Sequence, residues 1–219
     1  MTHSVKLIWV TPNAEEIITY CARVSNPSNQ NNYETAPRLL QYCVKHQHWS
    51  VFETVNMCVE INTTRAIAAQ ILRHRSFSFQ EFSQRYAEVM KPAEIPQFRR
   101  QDTTNRQNSI DDLNEYTQQE FQIRTQDLFD QSLALYNEML SAGVAKECAR
   151  DVLPLSTPTK LYMNGTLRSW LHYTDLRCAN GTQYEHQTIA NGVKQLLIQQ
   201  FPLVSEAMWS GERSEPVKK

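Results

Sequence analysis

Val55-Asn56-Met57-Cys58-Val59-Glu60-Ile61-Asn62 alternates apolar and polar residues, and Thr63-Thr64-Arg65 follows at once. Period two sends Val55, Met57, Val59 and Ile61 to one side, so this is a strand with one buried face. Thr63 or Thr64 then caps a helix from Arg65 to about Arg73, whose Ala66, Ile67, Ala69 and Ile71 make a small apolar face. Upstream, Val5 to Val10 reads as a second strand. Thr11-Pro12 starts a helix to about Val24, with Glu15 and Glu16 placed to favour its macrodipole. A polar, Asn-rich loop covers 25–33. Another helix begins near Thr35-Ala36-Pro37 and ends around Lys45-His46-Gln47-His48.

Downstream, 91–108 is a long polar loop with Pro92 and Pro96. Ser109 starts a long amphipathic helix to about Ser141, with Leu113, Tyr116, Phe121, Leu128 and Tyr136 on its apolar side and Gly143 as its stop. A short helix over 146–153 ends at Pro154. A strand over 158–164 and helices over 166–176 and 183–201 follow, and the charged last residues are expected to fray. Strands and helices without strict alternation predict an α+β fold: a mainly antiparallel central sheet surrounded by helices, in a single domain over 1–219.

Composition narrows the function. The chain has 219 residues, 41% hydrophobic and 21% charged, with a net charge of −1. That size can bury a core, and that charge excludes nucleic-acid or membrane binding driven by overall charge. Only five glycines occur, with no GxGxxG and no GxxxxGK[ST], so a phosphate-bearing ligand must be held by side chains. Five scattered cysteines without a CxxC fit reduced thiols in the cytoplasm. No apolar run approaches the roughly 20 residues of a membrane span, and the N-terminus lacks the basic and apolar regions of a signal peptide.

The densest chemistry lies just after the third predicted helix, in Arg73-His74-Arg75-Ser76-Phe77-Ser78-Phe79-Gln80-Glu81-Phe82-Ser83-Gln84-Arg85-Tyr86. Cations at a helix end have a bland use, as partners of the last carbonyls. But neighbours on a helix diverge by about 100°, so three of them cannot face one ligand from one turn. Gln70 lies three before Arg73 and can share its face. Glu81 to Arg85 reads either as an ordinary polar turn or as a cradle of amides, a hydroxyl and a guanidinium for a phosphate or a uracil-like ring. His46 and His48 lack the further ligands of a metal site, and no cysteine has surroundings that would activate it. Arg150 beside Asp151 is either a surface ion pair or a ligand-binding cation.

These residues resemble the flavin-dependent thymidylate synthases. Arg73-His74-Arg75, seven residues, then Ser83 matches that family's RHR-x7-S signature. Ala22-Arg23-Val24-Ser25, Lys45-His46-Gln47-His48, Phe52-Glu53, Ala149-Arg150-Asp151-Val152-Leu153-Pro154-Leu155 and Leu176-Arg177 extend the likeness over roughly 20–205. The resemblance implies reductive methylation of dUMP to dTMP, with 5,10-methylenetetrahydrofolate as carbon donor and NADPH as reductant through FAD. It implies a cytoplasmic homotetramer with active sites shared between subunits, no metal and no protein nucleophile.

Carried over by position, Gln70, Arg73, Glu81, Phe82 and Ser83 would hold dUMP together with Gln84, Arg85 and Arg150. Arg177 would contact the uracil ring and stabilise charge developing on it. Ser50, Arg73, His74, Arg75 and Glu81 fall at flavin positions, as do Thr166, Arg168 and His172. His48 would line the mouth where folate or reductant enters. The chain departs from the family at Gln80, Thr166, His172 and Gly181, all on the flavin side; His172 is expected to replace the ring that the family has at Gly181. A competing use of the same cations is single-stranded nucleic-acid binding by Arg65, Arg73, Arg75, Arg85, Arg99 and Arg100, with Phe77, Phe79 and Phe82 as stacking surfaces. An inactive scaffold that keeps the fold is the third reading, and the intact Arg73, Ser83, Arg85, Arg150 and Arg177 speak against it.

Overall fold

The alternating stretch is the second strand of a four-stranded antiparallel sheet, in a computed structural model that describes residues 3–210. β1 (Ser4–Val10) pairs with β2 (Asn56–Thr64), with a register irregularity between Leu7 and Trp9. Between them come α1 (Ala14–Ala22) and α2 (Ala36–Lys45). α3 (Arg65–Ile71) follows β2, and β3 (Ser78–Glu81) lies inside the charged motif. A small hairpin, β4 (Arg100–Gln101) with β5 (Ser109–Ile110), precedes α4 (Glu115–Ser141) and α5 (Lys146–Ala149). β6 (Pro158–Thr166), α6 (Leu167–Arg177), α7 (Tyr184–Gln200) and α8 (Pro202–Trp209) complete the described chain. The sheet order is β1-β2-β6-β3, so β2 and β6 are central.

The register explains the core. Met57, Val59 and Ile61 stand opposite Gly165, Met163 and Leu161, and all six are buried. The other face carries Glu60, Lys160 and Tyr162, where Glu60 accepts from the Tyr162 hydroxyl at 3.0 Å and pairs with Lys160 at 3.2 Å. Trp170 of α6 plugs the apolar side, donating its ring N–H to the Met57 carbonyl at 2.9 Å.

Several expected boundaries shift, each for a local reason. Thr11 does not cap α1. Its hydroxyl accepts from the Asn56 N–H at 2.9 Å and so ties β1 to β2, while the helix starts after Asn13, at φ 51°. Glu15 also serves another helix, accepting from the Val204 N–H of α8 at 2.9 Å. Ser109 is in β5, and α4 begins at Glu115, where the Asn114 side chain accepts from Thr117 N–H at 2.8 Å. Of the apolar side expected on α4 only Tyr136 is buried; Tyr116 and Leu128 remain 78% and 62% exposed. Gly143, at φ +85°, does end α4: Val144 N–H reaches the Met139 carbonyl and Gly143 N–H reaches that of Leu140. α8 lies over residues to which the sequence reading assigned no element; the fraying expected of the charged last residues lies outside the described ones.

Candidate active site

Thr64 is the cap that directs α3, its hydroxyl accepting from Ile67 N–H at 3.4 Å. α3 stops at Ile71, so Arg73-His74-Arg75 lies in turns beyond the helix and its three side chains do separate. Arg73 and Arg75 are exposed, and among the described residues neither has an ion-pair partner. His74 turns inward. Phe77 anchors the next step: its ring meets Trp170 edge-on at 4.6 Å and lies over Gly165, where any Cβ would overlap it. β3 then fastens the motif to β6, a strand that sequence patterning did not reveal. Phe82 extends the ladder by one bond, donating its N–H to the Lys160 carbonyl at 2.9 Å.

The candidate residues fall into three groups on one chain. The first is interior. Arg177, at the end of α6, donates its Nε–H to His74 Nε2 at 2.9 Å. His74 packs edge-on against Tyr173 at 5.0 Å and His186 at 6.3 Å. Burial, then the charge of Arg177, then His172, holds the His74 pKa down at about 4, so it accepts as a neutral ring. His186 is fully buried and is lowered to about 3 by burial, Arg177 and His74. Its nitrogens meet the Tyr173 hydroxyl at 3.1 Å and Gln70 Oε1 at 3.3 Å. Burial raises the Tyr173 pKa.

The second group is a rim. Ser83 Oγ accepts from Arg85 N–H at 3.4 Å. The Arg85 guanidinium pairs with Glu147 at 3.0 Å, and Arg150 donates to the Glu147 carbonyl at 3.3 Å. The Arg150–Asp151 approach is only 3.9 Å. Gln84 is buried and its Nε2 lacks a partner among the described residues. Glu81 is already engaged, accepting from Arg65 at 2.7 Å and from Thr159 at 2.9 Å.

The third group lines a cleft of about 460 Å³ between the Trp49–Glu53 turn and α6, formed in part by Ser76, Ser169, Arg168 and His172. Ser50 sits on that turn, just beyond His48. Arg168 pairs with Glu53. The Thr166 hydroxyl is used to cap α6, accepting from Ser169 N–H at 3.3 Å. Gly181 lines a different cleft from His172, with Asn180, Arg106 and Gln187. No cluster of three or more metal-ligating side chains occurs among the described residues. Cys43 and Cys58 are buried and their thiol pKa values are raised by that burial, which suits packing and not nucleophilic attack.

Sequence patterning missed Glu147, Tyr173, His186, Gln183 and Glu185. His186 had a signal: it lies on the helical stripe His186, Ile189, Ala190, Val193, Leu197, where a histidine must be buried and bonded. The others had none: Glu147 meets Arg85, Glu185 meets Arg99 and Gln183 meets Gln70, each more than 60 residues away.

Comparison with known proteins bears on the family and the fold. Residues 6–203 match the family model described as thymidylate synthase complementing protein. A probable flavin-dependent thymidylate synthase of Paramecium bursaria Chlorella virus 1 is 54% identical over 212 residues, 94% of this chain and 98% of the relative. A flavin-dependent thymidylate synthase of Synechocystis is 51% identical over 194 residues, 89% of each chain. The solved structure of a UMP/dUMP methylase from Streptomyces cacaoi, bound with 5-Br dUMP, superposes with a TM-score of 0.86 at 24% identity, covering 98% of this chain and 97% of that one.

Proposed function

The chain belongs to the flavin-dependent thymidylate synthase family, and on that premise we propose that it converts dUMP to dTMP, taking one carbon from 5,10-methylenetetrahydrofolate and reducing equivalents from NADPH through FAD. The observation that carries this is the state of Arg177. Its partner is a neutral histidine and not a carboxylate, so its positive charge is held in place but not cancelled. Beside a uracil ring, that charge favours electron density building up on the ring's nitrogen 3 and oxygen 2 as carbon 5 becomes nucleophilic.

The rim supplies the other half of dUMP binding. Arg85 and Arg150, with Ser83, form a site for the phosphate, and an incoming phosphate competes with Glu147 for Arg85. Gln70, Arg73, Phe82 and Gln84 complete the nucleotide contacts, and Glu81 acts there as a carboxylate oriented by Arg65 and Thr159.

For FAD, the donor set fits a group held by side chains: the guanidinium of Arg75, then Arg168 and His172 in the cleft beside α6 and Ser50 on the turn that borders it, with Arg73 and His74 reaching from the motif. When bound, FAD supplies hydride chemistry, which no side chain of the chain offers. Thr166 acts there through the start of α6, and His48 stands at the entrance.

We propose in addition a homotetramer whose sites draw residues from more than one subunit, with the uncovered apolar residues of α4 taken up in subunit contacts. No helix among the described residues is long and apolar enough to cross a membrane, and all five cysteines are free, which supports a cytoplasmic enzyme.

The test is direct. Purified protein should be yellow, bleach with NADPH under anaerobic conditions, and form dTMP from dUMP only when the folate is present. Colourless protein that FAD does not reconstitute would overturn the proposal.

A further inference from the structure

We propose that Glu185 and His186 are positioning residues that fix which way the amide of Gln70 faces, so that Gln70 meets its ligand as a hydrogen-bond donor only. This rests on the assignment of Gln70 to the dUMP site.

The argument starts at Glu185, because an ionised carboxylate can only accept hydrogen bonds. Glu185 is held ionised: burial raises its pKa, but hydrogen bonds from backbone, Arg99 and Gln183 together outweigh that and lower it. Arg99 pairs with Glu185 Oε1 at 2.7 Å, and Gln183 Nε2 donates to Oε2 at 2.9 Å. With its nitrogen turned to Glu185, Gln183 presents its oxygen to Gln70, which must then offer Nε2; that contact is 2.6 Å. Gln70 Oε1 is left facing His186 Nδ1 at 3.3 Å, so Nδ1 carries the imidazole proton. Nε2 is therefore bare and accepts the Tyr173 hydroxyl proton at 3.1 Å. Every donor in the chain points towards Glu185.

The polarity is anchored outside the helices. Arg99 is fixed by Ser109 Oγ at 2.8 Å and lies 5.2 Å from the Tyr184 ring centroid. Thus the hairpin of β4 and β5 holds the far end of a chain that terminates against His74, the partner of Arg177. Gln70 Oε1 is turned towards His186. What Gln70 presents on its other side is its second N–H, which suits a carbonyl or phosphate oxygen and disfavours a donor at the same place.

The experiment compares Glu185→Gln, His186→Asn, His186→Leu and Gln70→Ala in the FAD-loaded enzyme, reading dUMP KM, kcat, FAD content and thermal midpoint. Glu185→Gln lets the amides of Gln183 and Gln70 rotate, and should raise the dUMP KM about tenfold, the equivalent of one hydrogen bond, with kcat and FAD content near wild type. His186→Asn keeps a donor near the Nδ1 position and should stay within about threefold of wild type, whereas His186→Leu should match Glu185→Gln. An unchanged dUMP KM in Glu185→Gln overturns the proposal. So does equal damage in His186→Asn and His186→Leu, since packing alone would then explain it; this pair decides the matter even where Glu185→Gln fails to fold. Gln70→Ala with an unchanged KM removes Gln70 from the dUMP site and overturns both readings. A raised KM in Gln70→Ala without one in Glu185→Gln overturns the polarity alone.

Discussion

The interior group around Arg177 and the rim around Arg85 both present guanidinium groups, but they are built in opposite ways. Arg177 is half-buried and bonded to a neutral histidine that is itself packed among Tyr173, Phe77 and His186. Arg85 is 59% exposed at its side chain and held by a carboxylate that is 52% exposed. Exposed pairs of that kind contribute about 0–1 kcal/mol, so on the proposed reading a phosphate displaces Glu147 at little cost. The interior cation is arranged before any ligand arrives, and the rim cation is parked. A group that stabilises transient charge must already be in position, whereas one that captures substrate needs to move.

Breaking the interior should cost most. Arg177→Ala should lower kcat by about 10²–10³ in a folded protein, the range for loss of one electrostatic stabiliser, as seen in steady-state turnover with circular dichroism as control. Near-normal turnover would remove its assigned role. Next comes Gly165→Ala, which forces the Phe77 ring to move and should cost about 1–3 kcal/mol in urea unfolding. An unperturbed midpoint would show that Phe77 does not anchor the motif.

Acid sharpens the same contrast. His74 and His186 have folded pKa values of about 4 and about 3, below their ordinary 6.5. As pH falls below 6.5 the unfolded chain takes up protons that the folded one refuses, so the stability they confer is complete above that pH. It is lost progressively on descent towards 4 for His74 and 3 for His186, with a slope of up to about 1.4 kcal/mol per pH unit for each. The thermal midpoint should drop between pH 7 and pH 5, and less so in His186→Gln. Equal drops in both proteins would contradict a neutral, buried His186. The smallest effect is expected at the rim: Glu147→Gln should leave dUMP KM within about threefold and shift it downwards, because Arg85 is then released. A large rise would mean that Glu147 orients Arg85 for the substrate.

The strands β1, β2 and β6 and most helices were legible because their cues are local: the alternation in β2, the Thr64 cap, the stripe on α7, the Gly143 stop. Thr11 misled because a hydroxyl before a proline looks like a cap whichever group it bonds, and its partner Asn56 is 45 residues away. Ser109 misled for a similar reason: polar residues over 109–114 suit either a helix start or a hairpin edge. In the site, nothing in the motif shows that His74 turns inward or that Glu147 holds Arg85. Those facts depend on which remote elements the sheet order brings together. The apolar residues of α4 carried a helical pattern that a single chain does not bury.

β3 gives the signature's spacing a physical meaning. Its four residues, at about 3.3 Å each, are a rigid gauge of roughly 13 Å laid along β6. The seven positions between the arginine-histidine-arginine cluster and Ser83 thus include a length fixed by an edge strand. Adding or deleting one residue there would turn Glu81 to the opposite face of the sheet, away from Arg65 and Thr159. Substitutions at Ser78 and Gln80 keep this length, whereas a single-residue change in count does not, and Phe79 is held besides by its packing against the core.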